Sequence, residues 1–180
     1  MRAPLLRVWD LPVRLMHWAL AAGCAAGWIT TAFFTGWHEA AGYLALELVV
    51  LRVYWGFAGS PYARFRQFVR APRAAMDYAR LVRTGQAPRY LGHNPLGGWM
   101  AIALWACVGL LGITGWLYST DLFWGNPWLD LGHQTLAWTL LLLVSLHVAG
   151  VLHTSRQQSE NLLTGMVTGD KRAASCDDIT

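Results

Sequence analysis

Four long stretches of this chain are almost free of charge, and the polar residues gather between them. The apolar runs cover about residues 15–34, 38–58, 96–118 and 131–154. A helix rising 1.5 Å per residue needs about 20 apolar residues to cross the hydrocarbon core of a bilayer, and each run is of that order. The first run continues well past Ala21-Ala22-Gly23-Cys24, a weak lipoprotein-like cleavage site, and so reads as a span rather than a short signal-peptide core. A link, Thr35 to Trp37, separates it from the second run, which Gly59-Ser60-Pro61 ends. In the third run Gly109, Gly112 and Gly115 recur every three residues, and small residues let helices approach closely in lipid. The pattern predicts an all-α membrane protein with four transmembrane helices in an up-down bundle. Residues 1–157 form the integral-membrane domain, and residues 158–180 form a polar tail expected to be mobile.

The segment between the second and third runs differs in character. Arg64, Arg66, Arg70, Arg73, Arg80, Arg83 and Arg89 alternate there with Tyr62, Phe65, Phe68, Val69, Met76, Tyr78 and Leu81. This predicts an amphipathic basic helix, broken at Pro72, lying on the membrane surface against anionic lipid. The other basic residues are Arg2, Arg7 and Arg14 before the first run, Arg52 at the far end of the second, and Arg156, Lys171 and Arg172 after the fourth. All of them fall on one side of the predicted bundle. The positive-inside rule then puts both termini and the basic helix in the cytoplasm.

Composition agrees with a membrane protein. The chain has 180 residues, 55% hydrophobic and 13% charged, too apolar for a soluble domain of this size. Many of the eleven tryptophans lie near span ends, as in an interfacial aromatic belt. The net charge of +4 does not indicate nucleic acid, because there is no basic groove with interleaved aromatics. Cys24, Cys107 and Cys176 show no paired spacing, which argues against a disulfide framework or a zinc site.

The candidate chemistry lies in the histidines. His133 and His147 are 14 residues apart in the fourth run, about 21 Å along a helix and within about 40° of the same face. By predicted depth, His38 pairs with His133 on the periplasmic side and His17 with His147 on the cytoplasmic side. Ionisable residues inside a bilayer are functional candidates. Each pair is placed to clamp one haem iron from both faces, giving two bis-histidine haems b inside a four-helix bundle. Arg52, 14 residues after His38, Arg14, three before His17, and Arg156 are candidate propionate partners, with snorkelling to the headgroups as the alternative. His93, beside Asn94, is a candidate for contact with a propionate or a quinone. His153 falls on another face of its helix and reads as interfacial.

These residues resemble the bacterial two-haem, four-helix b-type cytochrome family. That family includes the b561-type cytochromes, the cytochrome b subunit of nickel-iron hydrogenases and the membrane subunit of formate dehydrogenases. The resemblance rests on Arg14-Leu15-Met16-His17-Trp18, His38-Glu39-Ala40-Ala41-Gly42-Tyr43 with Arg52, Gly92-His93-Asn94-Pro95-Leu96-Gly97-Gly98, and Gly132-His133 through His147. It implies an electron-transfer subunit of the bacterial cytoplasmic membrane, exchanging electrons between a redox partner and the quinone pool. A hydrogenase-like subunit or a c-type cytochrome is the implied partner, and the Gly-His-Asn-Pro stretch is most similar to the hydrogenase-type branch. The resemblance also implies a quinone pocket near the cytoplasmic haem, with His93 and Asn94 as its candidates. Glu39, beside His38, is the rival on the periplasmic side. Two other readings stand beside this one. The first is a b561-type oxidoreductase acting between a small oxidant such as superoxide and quinone. The second is a membrane metalloenzyme using His38 and Glu39, although the chain has no His-Glu-x-x-His run.

Overall fold

The computed structural model describes residues 5–31, 35–176 and 178–179. Four long helices carry the apolar runs, and each starts ahead of its run. The first helix, α1 (Leu11–Thr30), opens at Asp10, whose Oδ1 accepts from the Val13 N–H at 2.8 Å, with Pro12 in the first turn. Its expected end, near residue 34, lies outside the described residues. The second, α2 (Thr35–Ala58), takes in the expected Thr35–Trp37 link as its first turn and stops at Gly59, whose N–H donates to the Trp55 carbonyl.

An Asn-Pro pair starts each of the other two long helices, α5 (Pro95–Tyr118) and α6 (Pro127–Gln157). Asn94 Oδ1 accepts from the Gly97 N–H at 2.7 Å, and Asn126 Oδ1 accepts from the Trp128 and Leu129 N–H groups at 3.0 and 3.1 Å. Proline at the first helical position loses no intrahelical bond and is pre-set for helix. Among the described residues, three helices are long and apolar enough to cross a membrane: α2 from Gly36, α5 and α6. Val50 and Phe57 on α2, Leu110 and Ile113 on α5, and Leu142 and Leu146 on α6 are exposed, the surface a lipid-facing helix presents.

The chain divides into two compact units. One contains residues 15–53 and 103–144, and so most of α1, the first part of α2, the last part of α5 and the first part of α6. Its core is Ala45 and Val49 of α2, Cys107 and Val108 of α5, and Leu140 of α6. Gly112 belongs to this packing: a Cβ there would lie 2.8 Å from Leu46 Cβ. The expected close approach of small residues is therefore met at Gly112, while Gly109 faces open space.

The other unit contains residues 1–14, 54–102 and 145–180. Here β1 (Leu5–Arg7) pairs antiparallel with β2 (Asp170–Arg172). Between the long helices lie two short ones, α3 (Phe65–Phe68) and α4 (Pro72–Arg83), and α7 (Leu162–Thr168) precedes β2. Val8, Trp9, Val13 and Ala63 form the core. Asp10 also accepts from the Trp55 indole at 3.0 Å. Burial pushes its carboxyl up, but hydrogen bonds from Ser60, Val13 and Trp55 more than offset this and leave it below the ordinary carboxylate value.

Two expectations change in this unit. The basic helix is present as α4, and the chain does break before Pro72, but the apolar face of α4 is partly taken up within the protein, leaving Met76 and Leu81 exposed. Ala75 and Tyr78 on that face are buried, and Tyr78 packs edge-on to Tyr90 with centroids 5.5 Å apart. Arg73, Arg80 and Arg83 remain exposed.

The tail is not a mobile segment. Arg89 donates twice to the Glu160 carboxylate, at 2.8 and 3.1 Å, and also to Asp178. Lys171 Nζ donates to the Leu91 carbonyl at 3.0 Å and lies 3.7 Å from Glu160. The four side chains are 9% exposed or less, and buried charges persist only when paired in this way. Gly169 makes the turn from α7 into β2 with φ +90°, and a Cβ there would lie 2.6 Å from the Trp9 carbonyl oxygen.

Candidate functional site

Within the first unit α2 and α6 bring His38 and His133 together, with ring centroids 6.1 Å apart and planes at 74°. Both rings are half-buried. Each is fixed by its Nδ1. His38 Nδ1 lies 2.9 Å from the Gly27 carbonyl oxygen of α1. A carbonyl only accepts, so this nitrogen carries the proton. His133 Nδ1 lies 2.9 Å from Thr114 Oγ1 of α5. That hydroxyl lies 2.8 Å from the Leu110 carbonyl and 3.1 Å from the Leu111 carbonyl, so its own hydrogen points back into the helix. It therefore accepts from His133 Nδ1–H. In both rings Nε2 is left as the nitrogen bearing the lone pair.

Two imidazoles bound to one metal ion from opposite sides, through bonds of ~2 Å, have centroids about 6 Å apart. The spacing of His38 and His133 fits a bis-histidine haem iron, and the anchored Nδ1 atoms are the outer contacts that metal-ligating histidines usually have. Gly115 adds room, because a Cβ there would lie 3.3 Å from His133 Cε1. Among the described residues no group of three or more His, Cys, Asp or Glu is placed to hold a metal ion. Glu39 is exposed and does not join His38 in such a cluster.

The remaining predicted site residues are placed as follows. His17 lies in the second turn of α1, its ring 5.0 Å from that of Trp18, and His147 lies on the same continuous helix as His133. Arg52 is buried, with its guanidinium carbon 4.6 Å from the centre of the Trp105 ring, a cation–π contact. Arg14 donates through Nη2 to the Val167 carbonyl near the end of α7. His93 is half-buried between Trp9, at 4.8 Å, and Phe68, at 4.9 Å between centroids. Asn94 spends its side-chain oxygen on the first turn of α5. His153 is exposed. Thr114, Gly115 and the Gly27 carbonyl are the site residues that sequence reasoning missed. The glycine ladder flagged Gly115 for helix approach, and no local signal marks its neighbour Thr114.

Apolar helices long enough to cross a bilayer, with histidines of two helices facing each other, are the features of a membrane b-type cytochrome. The match to known families says which kind: residues 8–169 match the family described as prokaryotic cytochrome b561, and the chain belongs to that family. It is a haem-binding electron-transport protein. The chain is 26% identical over 213 residues to a probable Ni/Fe-hydrogenase B-type cytochrome subunit of Rhizobium leguminosarum bv. viciae, covering 91% of this chain and 87% of that one. It is 25% identical over 210 residues to the probable subunit of the same description from Azotobacter vinelandii, covering 90% and 86%. No solved structure matches the chain significantly.

Proposed function

We propose that this chain is the membrane cytochrome b subunit of a hydrogenase-type complex. It carries two haems b and passes electrons between that partner and quinone across the bacterial cytoplasmic membrane. The observation that carries the reading is the His38–His133 pair, with both Nδ1 atoms anchored and both Nε2 atoms left for iron. The hydrogenase partner is supported by the names of the relatives. A second pair, His17 with His147, is supported by the shared face of His133 and His147 on the unbroken helix α6. Helices α1, α2, α5 and α6 are the four spans of this reading.

His38 and His133 would hold the haem by two imidazoles, and a group held that way would supply one-electron transfer rather than oxygen binding. The protein's part is to hold and orient. Gly27 and Thr114 fix the two rings, and Ala45, Val49, Val108 and Leu140 form the apolar core of the same unit. Buried Arg52 supplies positive charge for a propionate, and Arg14 is the corresponding residue near His17. His93 and Asn94 supply the polar groups of a quinone pocket.

A pyridine haemochrome assay on the purified protein is expected to give two haems per chain. His133→Ala is expected to remove one of them and His147→Ala the other, each leaving one low-spin EPR signal. Retention of both signals in either variant would overturn the ligand assignment.

A further inference from the structure

We infer that Thr114 is a positioning residue that sets how strongly His133 donates to its iron, and so sets the reduction potential of that haem. The inference rests on the reading that His38 and His133 hold a haem.

The two ligands are anchored differently. His38 gives its Nδ1 proton to a main-chain carbonyl, which no substitution at Gly27 would remove. His133 has the Leu111 main-chain carbonyl beside it and, at 2.9 Å from Nδ1, a side-chain acceptor, Thr114 Oγ1, whose geometry is fixed. Thr114 is β-branched and lies within α5, four residues before its end, where few rotamers are open to it. Its Oγ1 contacts the Leu110 and Leu111 carbonyls, so its hydrogen is committed and a lone pair faces His133 Nδ1 at 2.9 Å. The neighbouring Gly115 leaves the ring room to sit against α5, with only 3.3 Å to a built Cβ. Threonine and glycine together therefore make the seat for this one imidazole.

Such an outer hydrogen bond does two things. It holds the proton on Nδ1, so that Nε2 keeps the lone pair. It also draws the Nδ1–H bond outward, which makes the ring a better donor and favours the ferric state. Removing the acceptor without changing the volume, by Thr114→Val, weakens that donation. The ferric form then loses stabilisation and the potential rises. Loss of such an outer partner typically costs tenfold or more in metal affinity. A tenfold change in the ferric/ferrous equilibrium corresponds to ~59 mV for one electron.

The test is a redox titration of the purified holoprotein, followed in the haem absorption bands, with EPR on the oxidised samples. The His147→Ala background isolates the haem under test. The expected result is an upward shift of roughly 59 mV in Thr114→Val, with a changed low-spin EPR signal. Thr114→Ser, which keeps the hydroxyl, should restore the wild-type potential. Loss of this haem in Thr114→Val with retention in Thr114→Ser would support the same role. An unmoved potential in Thr114→Val, with the haem bound, would overturn the inference while leaving the ligand assignment intact. If His133→Ala kept both haems, the ligand assignment itself would fall, and the inference with it.

Discussion

Asn94 is a single side chain with two candidate duties, and its two ends can be separated by substitution. The oxygen caps α5 through the Gly97 N–H, and the amide group, which also hydrogen-bonds the Tyr78 hydroxyl, is the proposed donor to a quinone oxygen. Asn94→Ala removes both groups, so it is expected to lower stability by about 1 kcal/mol in addition to any effect on turnover. Asn94→Asp keeps an equally good cap and removes only the donor. It should leave the unfolding midpoint near wild type while slowing haem reoxidation by a quinone analogue, with His93→Ala slowing it in parallel and Glu39→Gln mattering less. A wild-type rate in Asn94→Asp would take Asn94 out of the pocket. Gly115 sets two effects against each other in a similar way. Alanine is worth about 1 kcal/mol more than glycine inside a helix. At this position, however, the added methyl meets His133 Cε1 at 3.3 Å, tighter than an ordinary contact. Gly115→Ala is expected to lower the haem-to-protein ratio in the pyridine haemochrome assay despite the gain in helix propensity.

At the scale of elements, the segment after α6 is held by charge as well as by the β1–β2 pairing and the packing of Met166 on the core. Arg89 and Lys171 face Glu160 and Asp178, and Ile179 exchanges main-chain hydrogen bonds with Arg89 and Leu91. Burial pushes the Glu160 carboxyl up, but the hydrogen bonds from Arg89 and Arg172 outweigh it, and Asp178 is likewise held below the ordinary value. Carboxyls lowered in this way contribute stability that is complete above about pH 4.3 and is lost as pH falls through their folded values. Burial lowers Lys171 as well, with Glu160 acting against it, but its ordinary value near 10.4 puts it outside the acid window. A nitroxide on exposed Cys176 should therefore be immobile at neutral pH and become mobile in acid. Glu160→Gln should free it already at neutral pH, and an immobile label in that variant would show that the charges do not hold the segment. The distance along the chain explains why this clamp was not legible in the sequence. Arg89 and Glu160 are 71 positions apart, and no local pattern pairs them. Hydropathy is local, so the long helices were legible. So was the facing of His38 and His133, because helix period and depth both follow from spacing. Asn94-Pro95 and Asn126-Pro127 were readable helix starts that the hydropathy runs overshadowed. Thr114 was not readable, since its role depends on which ring a third helix brings to it.

For the whole molecule, orientation decides which of the two proposed haems meets which partner. Every Lys and Arg lies before or in the first turn of α1, near the end of α2, between α2 and α5, or in the last turn of α6 and beyond it. The loop 119–126 between α5 and α6 has none. If the four long helices all span, the positive-inside rule puts residues 59–94 and both termini in the cytoplasm. His38 and His133 then lie toward the periplasm, beside a partner on that side, and His93 and Asn94 lie at the cytoplasmic surface. Reporter fusions test this arrangement. Green fluorescent protein fused after Thr180, or inserted at Gly85, is expected to fluoresce, because it matures in the cytoplasm. Alkaline phosphatase, which is active only outside it, is expected to be active when inserted at Gly125 and inactive at the other two positions. Gly85 and Gly125 both lie in turns with positive φ, where an insertion does not break a helix. A fluorescent fusion at Gly125 together with phosphatase activity at Gly85 would invert the bundle. His38 and His133 would then face the cytoplasm, and the proposed quinone residues would face the periplasm.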